Sequence, residues 1–295
     1  MLLSEFFNED TVYIREKEFE TLGIIDSHPH MKFLSFIDDE IYIKKLCENS
    51  DIVMVLVTEE LAERIPDSIG ICVVKNPRLA FFHIHNMLQT NKAYVRSDVD
   101  SQIGENCSIS KLAFIAEKNV KIGNNVKIEE FVSIKEGTVI GNDCIIRAGT
   151  VIGCPGFEFK KSEHEVMPVN HYGGVVIGDR VEIKCNNVID KAIYPWDSTE
   201  IGSDTKLDDL IYIAHASKIK KRVFICAKSA IAGRVIIEED TWIGTGCSIR
   251  NGIKIGKGAR CNMGAVVTKN VEDFQSVTGN FAIDHDKFIA QLKSK

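Results

Sequence analysis

The sequence predicts a mainly β fold, a left-handed parallel β-helix of hexapeptide repeats preceded by a small α/β domain and followed by a short C-terminal helix. The first observation is an unbroken run of large apolar residues six apart: Ile201, Leu207, Ile213, Ile219, Ile225, Ile231, Ile237, Ile243, Ile249, Ile255, Cys261 and Val267. The second is that earlier stretches repeat it, from Ile103 to Ile115, from Ile122 to Ile152 and from Ile177 to Ile189. The third is that the key Ile is often followed by Gly and, near the corner, by Asn, Asp or Gly, as in IGEN at 103, IGND at 140 and IGSD at 201. Strands repeat every two residues and α-helices every 3.6 or so, so a period of six belongs to a coil turning in six-residue sides. Three sides close a coil of about eighteen residues, and stacked coils fill a narrow prism with β-branched side chains. Gly and Asn tolerate the left-handed backbone of a tight corner.

Residues 1–97 read as the α/β domain, with strand-like runs at 11–14, 23–26, 33–37, 51–57 and 70–74 and a helical pattern over 41–47. Pro77 suits a first helical turn and opens a helix through Phe81, Ile84 and Leu88. Residues 98–270 hold the coils. Their register stops after Ile152 and returns at Ile177, which marks an insertion over 154–176 looped out as a hairpin that carries Phe157 and Phe159 outward, placed to cover a site on a neighbouring subunit. A second interruption, AIYPWDSTE, keeps phase over the 24 residues from Ile177 to Ile201 and puts Pro195 at an expected inward position, with Trp196 as packing. Residues 271–295 form a C-terminal cap ending in a short amphipathic helix, and with the N-terminal domain they are the expected covers of the open ends.

The 295 residues exceed one average domain, and the net charge is −6 with mixed signs. No Lys/Arg run is interleaved with aromatics, so nucleic acid is not an expected partner. No stretch approaches eighteen consecutive apolar residues and the first residues are acidic, so a cytoplasmic protein without a membrane span is expected. The nine cysteines form no CxxC pair and are odd in number, against a zinc knuckle or a disulfide framework. His28-Pro-His30 and His83-x-His85 lack companions at ligand spacing, and no metal is expected.

Of eight histidines only His215 lies within the regular coils, two residues after the inward Ile213 and so at a corner facing out. Eighteen residues on, one coil away, lies Gly233, whose amide should sit one inter-strand spacing, about 4.8 Å, from the histidine. An imidazole base beside a backbone donor suits acyl transfer, one group accepting a proton from the nucleophile and the other stabilising the oxyanion. Gly233 also lets a substrate approach the backbone, and Asp208 could orient the imidazole or hold a substrate amine. Lys218, Lys220, Lys221 and Arg222 read as a solvated face that could attract phosphates.

GDRVEIKCNNVID, KLDDLIYIAHASKI and AIAGRVIIEEDTWIG resemble the core of the LpxD-type family, the UDP-3-O-(3-hydroxyacyl)glucosamine N-acyltransferases. FLSFIDDEIYIKKL, VVKNPRLAF and GCPGFEF extend the resemblance over most of residues 25–260. It implies a homotrimer with active sites between prisms, His215 as general base, the Gly233 amide as oxyanion donor, and Phe36 and Tyr42 flanking a pyrimidine base. Gly252 stands where that family has a further His, Asp39 stands where it commonly has Asn, and the family's long C-terminal helices are absent. RCNMGAVVTKNVEDFQSVTGNFA is similar instead to the closing coils of coenzyme A-dependent hexapeptide acetyltransferases, where a pantetheine arm runs between coils. The implied sites are Phe36, Asp39, Tyr42, Phe157 and Phe159 for substrate, and Gly252, Ala265 and Lys269 for the donor.

The expectation is therefore an N-acyltransferase moving an acyl group from acyl-CoA, as co-substrate and not a resident cofactor, to the amine of a UDP- or dTDP-linked amino sugar. The alternatives are the lipid A enzyme that draws on acyl carrier protein and a non-catalytic nucleotide-sugar-binding prism. A γ-type carbonic anhydrase would need three shared His ligands, and only His215 lies in the coils.

Overall fold

The computed structural model describes residues 1–6, 12–279, 282 and 284–294, without the side chains of residues 12–14 and 288. Three parallel sheets wrap the prism, one of nine strands and two of eight, each strand pairing with its equivalent one coil away. Ile128 pairs with Ile146, Ile213 with Ile231 and Ile237 with Ile255, so the six-residue spacing in sequence becomes a column of stacked side chains in space. Ile134, Ile146, Ile152, Ile183, Ile213, Ile231, Ile237, Ile243 and Cys261 are fully buried. A second inward column stands two residues before the first, in Val181, Ile211, Val235, Cys247 and Ala259, with Thr150, Ser229 and Thr241 also in it. Each enclosed aliphatic side chain contributes about 1.5–3 kcal/mol of transfer free energy, and the stack repeats that contribution along the axis.

The corners show how the repeat sequence works. The left-handed residue is the third after each inward position, as in Asn106, Asn125 and Asp143 at φ between 56° and 58°. Phe131, Leu210 and Ala216 adopt the same conformation, because the ladders on both sides impose it. The Gly directly after the key Ile has another role: a Cβ at Gly141 would stand 2.7 Å from the backbone carbon of Gly178 in the next coil. Close stacking, not positive φ, is what requires it there.

The N-terminal domain has a five-stranded sheet in which Thr21–Leu22, Phe33–Ile37, Ile52–Val57 and Gly70–Val73 run parallel and Val12–Arg15 pairs antiparallel at the edge. Helices Ile43–Glu48, Glu59–Ala62 and Pro77–Met87 complete it, the last capped by the Asn76 side chain with Pro77 in its first turn. The run expected as a strand over 23–26 is a turn, with Ser27 N donating to Ile24 O at 2.8 Å. Position 11 of the first expected strand lies outside the described residues.

This domain packs on the side of the prism, not over its first coil, where Ile103 remains 51% exposed. Its seat is made by the two interruptions. The insertion forms an antiparallel hairpin, Phe159–Lys161 with Val166–Pro168, and Met167 and Val169 bury against Phe81 and Phe82 of the domain. The second interruption adds six residues to its coil, since Ile177 pairs with Ile201, and Pro195 lies in the outward loop, its carbonyl accepting from Arg96 Nε. Tyr194 stacks on Trp196 with centroids 5.5 Å apart, and Trp196 Nε1 donates to Leu22 O, so the tryptophan is a joint between the two parts. At the far end, Ser276–Val277 continues one sheet and the helix His285–Lys293 is amphipathic in sequence. No helix among the described residues is long and apolar enough to cross a membrane.

Candidate active site

His215 stands at the corner between strands Tyr212–Ile213 and Lys218–Ile219. It faces out of the prism as the register requires, yet it is 92% buried because the insertion folds over it. From that insertion Glu158 brings Oε2 to 3.4 Å from His215 Nε2, while its Oε1 binds Lys160. Lys160 in turn lies over the Phe82 ring, 4.2 Å from its centroid, which ties the hairpin to the N-terminal domain. Burial works to raise the Glu158 carboxyl pKa, but the hydrogen bonds from His215 and Lys160 outweigh it and hold it at about 2. Glu158 is therefore a carboxylate at neutral pH.

Gly233 lies directly against the imidazole: a Cβ there would stand 2.7 Å from His215 Nε2 and 2.8 Å from Cε1. The space that its missing side chain leaves is taken by His215 itself. At some corners the equivalent amide is closed by a side chain from the next coil, as Asn124 N is by Asn142 Oδ1 and Cys185 N by Asp209 Oδ1, each at 2.8 Å. Among the described residues nothing accepts from the Gly233 N–H, although the Gly233 carbonyl is used by Gly252 N at 3.0 Å. An uncommitted donor beside a base is what oxyanion stabilisation needs.

Two further groups crowd the histidine. The His171 ring centroid is 5.9 Å from that of His215, and His171 Nδ1 donates to Val169 O at 2.9 Å. Burial lowers the His171 pKa to about 4, so it is neutral. Asp190, raised to about 6 by burial, accepts from Tyr212 Oη at 2.6 Å. Among the described residues no group of three or more His, Cys, Asp or Glu is spaced to hold a metal ion. His83 pairs with Glu165 and His85 is enclosed between Tyr94 and Asn170, so the two ends of that motif serve different contacts.

Beside the corner a cleft of about 740 Å³ opens between the prism and the N-terminal domain. Phe36 and Tyr42 line one wall, and Ala216, Lys218, Arg234, Asn251 and Gly252 line the other. Arg78 stacks on Phe36 at 5.4 Å and pairs with Asp38 at 2.9 Å. Lys218 is saturated by Asp197 Oδ1, Ser198 O and Glu200 Oε1, while Arg234 projects exposed into the cleft. A second groove, about 300 Å³, runs down the outer face of the sheet that carries Ile213, over Tyr212, Ala230, Ala232, Ser248 and Val266.

Several expected positions stand elsewhere. Asp39 caps a helical turn through Ile41 N at 3.0 Å, and its neighbour Asp38 is the one that lines the cleft. Asp208 lies exposed at the preceding corner, where Oδ2 accepts from Ala227 N at 3.2 Å; within the chain Glu158, not Asp208, meets the imidazole. Ala265 is inside the prism core, so its side chain cannot touch a donor. Gly252 lines the cleft in a left-handed corner, φ 70°. Lys269 is exposed at the position that continues the column His215, Gly233, Asn251. Phe157 and Phe159 touch each other at 5.0 Å and face solvent, 86% and 46% exposed, not the cleft. Lys221 and Arg222 pair with Glu239 and Asp240 in the next coil, a ladder of surface ion pairs. The sequence reading missed Glu158, Lys160, His171 and Arg234; a Glu between two aromatics in GFEF was the one visible hint.

Known proteins carry the same design. Residues 119–154 match the family described as bacterial transferase hexapeptide (six repeats), and residues 234–269 match the hexapeptide repeat of succinyl-transferase. LpxA, a UDP-N-acetylglucosamine acyltransferase from Bacteroides fragilis, superposes with a TM-score of 0.54 at 23% identity over 68% of this chain and 75% of that one, a likeness of fold. The UDP-3-O-acylglucosamine N-acyltransferase of Coxiella burnetii is 31% identical over 68% of this chain, which spans 64% of that relative's length. The corresponding protein of Helicobacter hepaticus is 30% identical over 91% of this chain and 82% of its own length. With that coverage of both parts of the molecule, the chain belongs to the UDP-3-O-acylglucosamine N-acyltransferase family.

Proposed function

We propose that the protein transfers an acyl group from a pantetheine thioester on an acyl carrier protein to the amine of a UDP-linked, 3-O-acylated glucosamine. This replaces the broader expectation of acyl-CoA and a UDP- or dTDP-linked amino sugar. The observation that carries it is His215 pressed against Gly233, with an open amide, each next in sequence to a residue, Ala216 or Arg234, that lines a cleft walled by Phe36 and Tyr42. The flat aromatic faces suit a pyrimidine, and the exposed Arg234 suits a diphosphate.

The amine reaches His215 Nε2, loses a proton to it and attacks the thioester carbonyl. The Gly233 N–H takes the developing oxyanion. Collapse breaks the C–S bond, and the thiolate leaves with a proton from the imidazolium. The apolar groove over Ala230, Ala232 and Val266 begins on the strand that leads to His215 and favours a long acyl chain over acetyl. From His215 to exposed Lys269 is three coil steps of about 4.8 Å, roughly 14 Å, the scale of an extended pantetheine arm whose phosphate the lysine would meet.

Thiol release with purified protein tests this, comparing hydroxyacyl carrier protein with the matching acyl-CoA and UDP-3-O-acylglucosamine with dTDP-linked amino sugars. Turnover on carrier protein with the UDP acceptor is the expected result. Turnover confined to short acyl-CoA and dTDP sugars would return the assignment to the broader reading.

A further inference from the structure

We infer that Glu158 is the group that recognises the acceptor as an amine: its Oε2 receives the ammonium of the incoming sugar beside His215 Nε2, and so selects amine over hydroxyl acceptors. The inference rests on the reading of His215 as the base.

His215 Nδ1 is enclosed by protein, so only Nε2 can meet a substrate. A nitrogen that approaches Nε2 from the side Glu158 occupies also comes within reach of Oε2, which stands 3.4 Å from it. That spacing is loose for a charge-assisted hydrogen bond, so Oε2 can turn to a new donor. Oε1 is already held by Lys160, which fixes the carboxylate plane and aims Oε2 at the corner. A sugar amine arrives at neutral pH largely as an ammonium, a three-donor cation for which a partly buried carboxylate is a strong partner. A hydroxyl brings no charge and gains far less from the same oxygen.

The charged and titratable groups facing Glu158 come from each element packed on it: His215 from the corner, Lys160 from its own hairpin, His171 from the segment that follows Val166–Pro168 and Tyr194 from the loop beside it. With the substrate in place, Lys160 on Oε1 and the ammonium on Oε2 are the cations that favour the ionised carboxylate. In the reaction the ammonium held by Oε2 gives one proton to His215 Nε2, its freed pair forms the C–N bond, and the C–S bond breaks. One proton leaves on the thiol and the other passes to solvent, so R–NH₃⁺ and thioester give amide, thiol and H⁺. After the first transfer the carboxylate faces an imidazolium and stabilises it.

The test is steady-state kinetics of the full chain and its Glu158→Gln and Glu158→Asp variants, with UDP-3-O-acylglucosamine as acceptor and its 2-hydroxy counterpart, UDP-3-O-acylglucose, as competitive inhibitor. Glu158→Gln should raise KM for the amine at pH 7 by about ten-fold or more, the scale of a lost charged hydrogen bond. The inhibition constant of the hydroxyl analogue should stay within about two-fold, Glu158→Asp should recover part of the loss, and the KM gap should narrow above the amine's own pKa. An unchanged KM, or an equal weakening of both ligands, overturns the inference. Failure of the underlying reading shows separately: full activity in His215→Ala would remove the base itself, whatever Glu158 does.

Discussion

Gly233 shows how much one missing methyl can carry. A Cβ at this position would stand 2.7 Å from His215 Nε2, far inside van der Waals contact, and its backbone has no positive φ to explain the glycine. Gly233→Ala should therefore push the imidazole off its position and lower kcat on the order of 10²-fold, while circular dichroism and melting stay near the parent. Unchanged kcat would show that the imidazole can yield without loss. The pairing of His215 with Gly233 was legible from an eighteen-residue spacing, because a regular coil turns sequence distance into contact. Glu158 was not, because it reaches the site from an insertion that obeys no register and whose folded path depends on Lys160, Phe82 and the N-terminal domain. Asp39 failed for a local reason: adjacent carboxylates divide between a cap and the cleft, and sequence does not say which does which.

At the scale of the element, each two-residue strand is held by its inward side chain more than by its own few hydrogen bonds. Ile225 is buried between Leu207 and Ile243, whereas its neighbour Phe224 lies outside, stacked on Trp242 at 5.6 Å. Ile225→Ala should cost about 2–4 kcal/mol in denaturant unfolding, and Phe224→Ala about 1 kcal/mol or less. Equal costs would mean that the outer ladder supports the coil as much as the core does. The inward column was readable from the six-residue period wherever the coils are regular. The second column was readable too, since Val, Ala and Cys recur two residues earlier, and it would have placed Ala265 inside the prism. The bulge at 191–196 defeated the period because its six extra residues preserve phase, so Pro195 appeared to belong to the core.

Across the whole molecule, the joint between domain and prism and the site beside it each hold a histidine that is neutral in the fold. Burial lowers both His85 and His171 from 6.5 to about 4, and His85 links Tyr94 Oη to Asn170 O across the joint. In the unfolded chain both would protonate as pH falls below about 6.5, so the unfolded state binds more protons and stability declines from there towards pH 4. Asp190, raised to about 6, acts with the opposite sign, contributing stability at low pH that is lost as pH rises through about 6. Two histidines against one carboxyl predict a net fall in stability on acidification from 6.5 to 4, flattened in His85→Gln. Melting temperatures across that range check it, and an equally steep fall in the variant would count against the assignment. The side-on seat of the domain was not legible in sequence, since an end cap satisfies the same open-edge argument. It is fixed instead by Trp196, Met167 and Val169, residues that both interruptions carry out of the prism.

The measurement that bears most directly on the whole account is acyl transfer from hydroxyacyl carrier protein to UDP-3-O-acylglucosamine by the full chain and by His215→Ala. The account predicts turnover in the parent and a loss on the order of 10² to 10⁴ in kcat in the variant, with its melting unchanged. Equal turnover in the two proteins, or none in either while both remain folded, would contradict it.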